Sequence, residues 1–293
     1  MSHIFNQIGN TPLVDISGMQ ENPDIRILAK LEGNNPGGSV KDRAAYNMIQ
    51  SALDRGEIQP GDHLIEATSG NTGIALAMMA SLFKLPISLV MPETATIERV
   101  KTMRAYGAEV ILTSAETGIE GARDIADGLV LEKGFKALNQ FSNPDNWKAH
   151  YKTTGPEIWK DTKGEISHFV SAMGTTGTIM GTSTYLKERN ASIQIIGAQP
   201  SDGSKIPGIR KWSPDYVPEI FDPKKVDQVI EVSELEARAT SKLLAKEFGL
   251  FVGMSSGGAV ATSLKLAEEL DQGLIVTVIC DRGDRYLSSD LFN

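Results

Sequence analysis

Lys41 stands where a helical pattern begins, just after the run Asn34-Asn35-Pro36-Gly37-Gly38-Ser39. A cation at a helix N-terminus opposes the helix dipole, which disfavours the ammonium and frees the amine to attack a carbonyl. The plainer alternative is a solvated lysine beside Asp42 and Arg43. A second segment, Thr68-Ser69-Gly70-Asn71-Thr72-Gly73, follows the apolar run His63–Ala67 and precedes another helical pattern. Hydroxyls, an amide and bare glycine backbone at a helix start suit a carboxylate. Simple N-capping would explain one such residue, not four. A third segment, Met173-Gly174-Thr175-Thr176-Gly177-Thr178, follows the run His168–Ala172 and opens a helix. Its glycines admit close backbone approach, and its free amides and hydroxyls would cradle a phosphate. A tight turn without a ligand is the alternative there. A nicotinamide site would need an acid at the end of the next strand, but that strand ends Ala198-Gln199-Pro200. No Gly-Lys-Ser/Thr occurs in the turn, so it is not a nucleotide P-loop. A nucleophilic amine, a carboxylate cradle and a phosphate cradle are together what an amino acid bound to pyridoxal phosphate requires.

These segments need elements to hold them. Short apolar, β-branched runs predict strands at Ile25–Leu31, His63–Ala67, Ile87–Met91, Glu109–Leu112, His168–Ala172, Ile193–Gln199 and Leu274–Cys280. Their nearly continuous apolar character suits strands buried on both faces. Between them lie helical periods over Lys41–Arg55, over the apolar Ile74–Phe83, and through Leu235, Ala239, Leu243, Leu244 and Phe248. The alternation predicts an α/β fold with parallel, doubly wound sheets. No Gly/Ser-rich linker separates two halves, so a second domain would be intertwined with the first by chain crossovers. Gln199–Val226 is proline-rich and without period, and reads as a long ordered loop of the kind that often serves function.

The chain has 293 residues, 41% of them hydrophobic and 23% charged, with a net charge of −8. This is ordinary globular composition. An acidic chain without a Lys/Arg run argues against a nucleic-acid or anionic-membrane partner. The longest apolar stretch, Ile74–Phe83, is about half of a membrane span. Met1–Thr11 lacks the basic start and apolar core of a secretory signal. A cytoplasmic location is therefore expected. The single cysteine, Cys280, excludes an intramolecular disulfide framework and a multi-cysteine zinc site. The four histidines show no metal-ligand spacing, so no metal is expected.

Ser39-Val40-Lys41-Asp42-Arg43, Thr68-Ser69-Gly70-Asn71-Thr72-Gly73, Gly174-Thr175-Thr176-Gly177-Thr178 and Gly253-Met254-Ser255-Ser256-Gly257-Gly258 occur in the order and spacing of the cysteine synthase family. This is the β-family, or fold type II, of pyridoxal-phosphate enzymes. Ile8-Gly9-Asn10-Thr11-Pro12-Leu13 is similar to the family's start, and the resemblance covers essentially the whole chain. Thr176, Ile206-Pro207-Gly208-Ile209-Arg210 and Ile279-Cys280-Asp281-Arg282-Gly283-Asp284-Arg285-Tyr286 look like the B branch, except that Arg210-Lys211 stands where that branch often has two arginines.

The resemblance implies two intertwined three-layer α/β/α domains with largely parallel sheets. The smaller, mobile one would span 35–145, and the larger, phosphate-binding one 1–34 plus 146–293. It implies that Lys41 holds pyridoxal phosphate as an aldimine and later serves as base and acid. Gly174, Thr175, Thr176, Gly177 and Thr178 would bind the phosphate, Asn71 the ring 3′-oxygen, and Ser255 the pyridine nitrogen. Thr68, Ser69, Asn71, Thr72 and Gln140 would hold the substrate carboxylate. The implied reaction is β-replacement on O-acetylserine through an α-aminoacrylate, with sulfide giving cysteine or thiosulfate giving S-sulfocysteine. A homodimer and no tight complex with serine acetyltransferase are also implied. Rival readings are a cystathionine β-synthase-like enzyme, a serine dehydratase, and a non-catalytic binder that keeps the fold. Arg210, Lys211 and Trp212 read either as a cationic lid for an anionic second substrate or as solvated charges beside a packed ring. Cys280 reads either as a site residue or as a small buried apolar one.

Overall fold

The computed structural model describes residues 4–68 and 70–293. Strands β1 (Leu13–Asp15) and β2 (Ile25–Leu31) lead into helix α1 (Lys41–Asp54). There follow β3 (Leu64–Ala67), α2 (Asn71–Phe83), β4 (Ile87–Pro92), α3 (Ile97–Ala105), β5 (Glu109–Thr113), α4 (Gly118–Lys133) and β6 (Lys136–Ala137). The chain continues through α5 (Pro144–Lys152), α6 (Thr154–Asp161), β7 (His168–Ala172), α7 (Gly177–Arg189), β8 (Gln194–Pro200), β9 (Gln228–Val232), α8 (Glu234–Phe248), α9 (Met254–Glu268) and β10 (Gly273–Ile279).

Among the described residues these strands make two sheets. One is ordered β1-β2-β10-β7-β8-β9, with only β1 antiparallel to its neighbour. The other, β5-β4-β3-β6, is wholly parallel. β10 lies between β2 and β7, with Ile275 opposite Ile27 on one side and His168 on the other. The larger sheet thus takes strands from both ends of the chain, and the smaller sheet is built between them.

Alternate residues of the central strands feed opposite faces, as period-two geometry demands. Leu28, Phe169, Ile195 and Val276 pack with Ile158 of α6 and Ile179 and Leu186 of α7. Their neighbours Ile27, Val170, Ile196 and Ile275 pack with Leu244 of α8 and Val260 of α9. In the smaller sheet, Leu64 and Leu89 meet α1 and α2, whereas Ile65 and Val90 meet Ala122 and Ala126 of α4. Burial on both faces explains why these strands read as continuous apolar runs.

Helix ends follow local chemistry. The Ser233 side chain accepts from the Glu236 backbone and Glu236 reciprocates, a capping box that starts α8, and Gly249 in the left-handed region ends it. Asn143 caps α5 with Pro144 in its first turn. The seven predicted strands are all present with ends moved by a residue or so, and β1, β6 and β9 are not among those predicted. The β10 shift has a clear cause: the Cys280 amide donates to Ser256 Oγ at 2.9 Å rather than to the ladder, so the strand stops at Ile279. The stretch after β8 is irregular apart from short 3-10 turns at Pro214–Tyr216 and Pro223–Lys225. No helix among the described residues is long and apolar enough to cross a membrane.

Candidate active site

The parallel strands end on one side of the molecule, where α/β sheets present their ligand sites. There the ends of β3, β4, β7 and β8, the residue after β10, and the starts of α1, α2, α7 and α9 surround a cavity of about 780 Å³. Lys41, the first residue of α1, is on its wall. Burial holds the Lys41 ammonium below the usual lysine range, against the opposing fields of Asp281 and Glu32. Cys280 also faces the cavity, but burial pushes its thiol up to about 11. It is therefore uncharged at neutral pH and leaves the amine's field to the carboxylates.

Thr68, Asn71, Thr72 and Gln140 share that cavity wall, and Ser69 lies outside the described residues. Thr68 closes this turn: its Oγ1 accepts from the Gly70 and Gly73 amides at 3.3 and 3.2 Å. Thr72 Oγ1 donates to Gln140 Oε1 at 2.8 Å, which joins two parts of the candidate carboxylate cradle. The Gln140 loop is in turn anchored by buried Glu66, which accepts from the Asn139 and Gln140 amides at 3.0 and 3.2 Å. Burial pushes Glu66 up to about 7 despite those donors.

At the start of α7, Thr176 has φ +68°, a left-handed conformation that costs a β-branched residue about 1–2 kcal/mol. Gly174, Thr175, Thr176 and Thr178 line the cavity, but Gly177 does not. A Cβ on Gly177 would meet Asn146 Oδ1 at 2.1 Å, and one on Gly181 would meet Trp147 O at 2.0 Å. Gly177 is bare because α5 packs against α7 there and leaves no room for a side chain. Asn146 itself bridges the two cradles, donating to Gln140 O at 2.7 Å and to Thr175 Oγ1 at 3.2 Å. His150 also comes from α5, with its Nε2 3.3 Å from Thr178 Oγ1 and its Nδ1 2.8 Å from Thr154 Oγ1. Burial, then the nearby Arg43, drives His150 down to about 3, so the ring is neutral. Ser255, in the first turn of α9, lines the cavity and touches the Cys280 thiol.

Arg210 and Trp212 sit at the mouth. Trp212 Nε1 donates to Gly174 O at 2.9 Å, which ties the long loop to the α7 turn. The Arg210 guanidinium lies 5.4 Å from the centre of the Trp212 ring. Lys211 also lines the cavity, but it pairs with Asp202 and Glu231, both at 2.7 Å, so its charge is already met.

The sequence reading missed Asn146, His150, Asp281 and Arg285. Asn146 and His150 lie on a short helix whose signal is a capping asparagine and Pro144, neither of which points to a ligand. Asp281 and Arg285 meet Asn71 across more than 200 residues of chain, a juxtaposition that no local pattern encodes.

The residues fit pyridoxal phosphate. Thr176 Oγ1 is buried without a hydrogen-bond partner at the N-terminus of α7, where backbone N–H groups and the helix dipole favour an anion. Lys41 presents a depressed amine to the same cavity. The model of the family described as "Pyridoxal-phosphate dependent enzyme" matches residues 4–281. The chain belongs to this family. Its cofactor is pyridoxal phosphate. The chain is 56% identical over 290 residues to cysteine synthase B of Pseudomonas aeruginosa, covering 99% of this chain and 97% of that one. It is 53% identical over 292 residues to cysteine synthase B of Escherichia coli, covering 100% and 96%. A crystal structure of cysteine synthase (OASS) from Entamoeba histolytica superposes with a TM-score of 0.94 at 39% identity, covering 100% of this chain and 90% of that one.

Proposed function

We propose that this chain makes cysteine by β-replacement on O-acetylserine, with sulfide as one sulfur donor and thiosulfate, giving S-sulfocysteine, as another. The observation that carries the reading is that Lys41, Thr68 with Asn71 and Thr72, and Gly174 with Thr175, Thr176 and Thr178 open on one cavity. Relatives named cysteine synthase B match nearly the whole chain. When bound, pyridoxal phosphate supplies a carbonyl for the Lys41 amine and a conjugated ring that takes up the electron pair left by the substrate α-proton.

Lys41 is the residue placed to take that proton and later return it to the same carbon. Between those transfers the Cβ–O bond breaks, acetate leaves with the electron pair, and the sulfur nucleophile forms the new bond to Cβ. The Thr68–Thr72 turn and Gln140 hold the substrate carboxylate, Gly174–Thr178 the cofactor phosphate, and Asn71 the ring oxygen. Ser255 faces the ring nitrogen with a neutral hydroxyl, which does not enforce protonation there and so favours elimination over long-lived charge on the ring. Arg210, stacked over Trp212 at the mouth, is suited to an anionic donor.

The unit 35–145 closes over the substrate carboxylate while 1–34 plus 146–293 holds the phosphate. A homodimer, a cytoplasmic location and no tight complex with serine acetyltransferase complete the reading, on the strength of the resemblance.

The deciding experiment is the visible spectrum of the purified protein. A cofactor band should appear, change on adding O-acetylserine, and return on adding sulfide or thiosulfate, with cysteine or S-sulfocysteine recovered by mass. Protein that stays colourless after incubation with pyridoxal phosphate would reject the reading, and a spectrum restored by sulfide alone would reject thiosulfate.

A further inference from the structure

We propose that Asp281 and Arg285 are positioning residues that fix which way the Asn71 side-chain amide faces. The inference rests on the reading of Asn71 as the partner of the cofactor ring oxygen. Asn71 opens α2 at the cavity wall, and its amide is gripped at both ends. Its Nδ2 donates to Asp281 Oδ2 at 2.6 Å, and its Oδ1 accepts from Arg285 Nη1 at 2.5 Å. The two ends of a carboxamide are nearly identical in shape and opposite in hydrogen-bonding sense. Turned over, it would set an NH2 against a guanidinium and a carbonyl against a carboxylate. Opposite charges on the two sides therefore leave one orientation. In that orientation one Nδ2 hydrogen goes to Asp281 and the second remains to donate to an acceptor in the cavity.

Both gripping residues are themselves held. The Asp281 oxygen that accepts from Asn71 also accepts from the Tyr286 hydroxyl at 2.7 Å, and Arg99 lies over the Tyr286 ring at 5.0 Å. Arg285 donates a second time, to the Gly37 carbonyl in the turn that leads to Lys41. Its own carbonyl accepts from Thr96 Oγ1 at 3.1 Å, next to α3. The segment after β10 thus reaches from the larger sheet to the start of α2, the start of α3 and the lysine turn together.

The test compares Asp281→Asn, Arg285→Met and Asn71→Ala, each alone and with Asn71→Ala combined with either of the others. The readouts are the cofactor dissociation constant and the ratio of the two absorption bands of the bound cofactor's tautomers, which a hydrogen bond to the ring oxygen controls. Asn71→Ala should shift the ratio. Asp281→Asn and Arg285→Met should shift it the same way and weaken cofactor binding roughly tenfold. Neither should move the ratio further once Asn71 is alanine, a non-additivity that a merely structural role would not produce. Arg285→Lys, which keeps one charged donor and is the milder change for the fold, should give an intermediate ratio. A wild-type ratio in Asp281→Asn and Arg285→Lys, or shifts that add to that of Asn71→Ala, would overturn the proposal alone. An unchanged ratio in Asn71→Ala would overturn it together with the assigned role of Asn71.

Discussion

A lysine amine attacks a carbonyl only after shedding its proton, and at Lys41 burial favours the shed form. Borohydride reduction of the loaded protein should fix the cofactor on the peptide that carries Lys41. Lys41→Ala should lose that adduct and at least about 1,000-fold in turnover; a labelled peptide elsewhere would refute the assignment. His150 makes a second prediction at this scale. Its folded pKa is depressed to about 3 from the ordinary 6.5, so below 6.5 the unfolded chain binds a proton that the folded one refuses. Stability from this residue is therefore present above pH 6.5 and is lost as pH falls toward 3, by up to about 5 kcal/mol in all. The stability difference between wild type and His150→Asn should shift against the wild type over that window, as read by chemical denaturation. A pH-independent difference would mean that the buried ring protonates freely.

The turn that opens α7 sets conformational cost against binding. Thr176→Gly removes a β-branched side chain from the left-handed region and with it the unpartnered Oγ1. Stability of the cofactor-free protein should stay level or rise by up to about 1 kcal/mol, while cofactor affinity falls about tenfold. Calorimetry and a cofactor titration separate the two effects. At the mouth, Arg210→Ala should lower kcat/KM for thiosulfate about tenfold and leave sulfide within about twofold. Lys211→Ala should change neither, since its charge is already met by Asp202 and Glu231. Elements were legible in the sequence in proportion to how much apolar surface they bury. β2, β3, β4, β7, β8 and β10 announce themselves through two buried faces, whereas β1 and β6 are only three and two residues long. α4 buries only Ala122 and Ala126, too small to mark a period. The crowding by Asn146 that denies Gly177 a side chain was not legible, because that neighbour comes from about 30 residues upstream.

At the scale of the whole molecule, the cavity lies where the two sheets meet, and the lysine turn, the carboxylate turn and the segment after β10 converge there. Closure of the smaller unit on a bound carboxylate should shrink the radius of gyration in small-angle scattering when a substrate analogue is added. Equal scattering curves would remove closure from the mechanism. The three glycine-bearing turns were legible because each carries its own chemistry within a short run of chain. The grip on Asn71 was not, because it joins charges brought together only by the finished fold.

The placement of β10 has a consequence for how the protein is made. That strand leaves the ribosome after the other strands of the two sheets, yet it separates β2 from β7 in the middle of the larger sheet. Until it emerges, the nascent chain carries two unpaired parallel edges with apolar faces, the situation in which growing polypeptides aggregate or recruit chaperones. Asp281 and Arg285 follow β10 directly, so the ligand cleft can be completed only after this segment has emerged. Ribosome-bound chains halted before Gly273 should remain protease-sensitive across Ile25–Leu31 and unable to capture the coenzyme, and release of a few tens of further residues should confer both properties together.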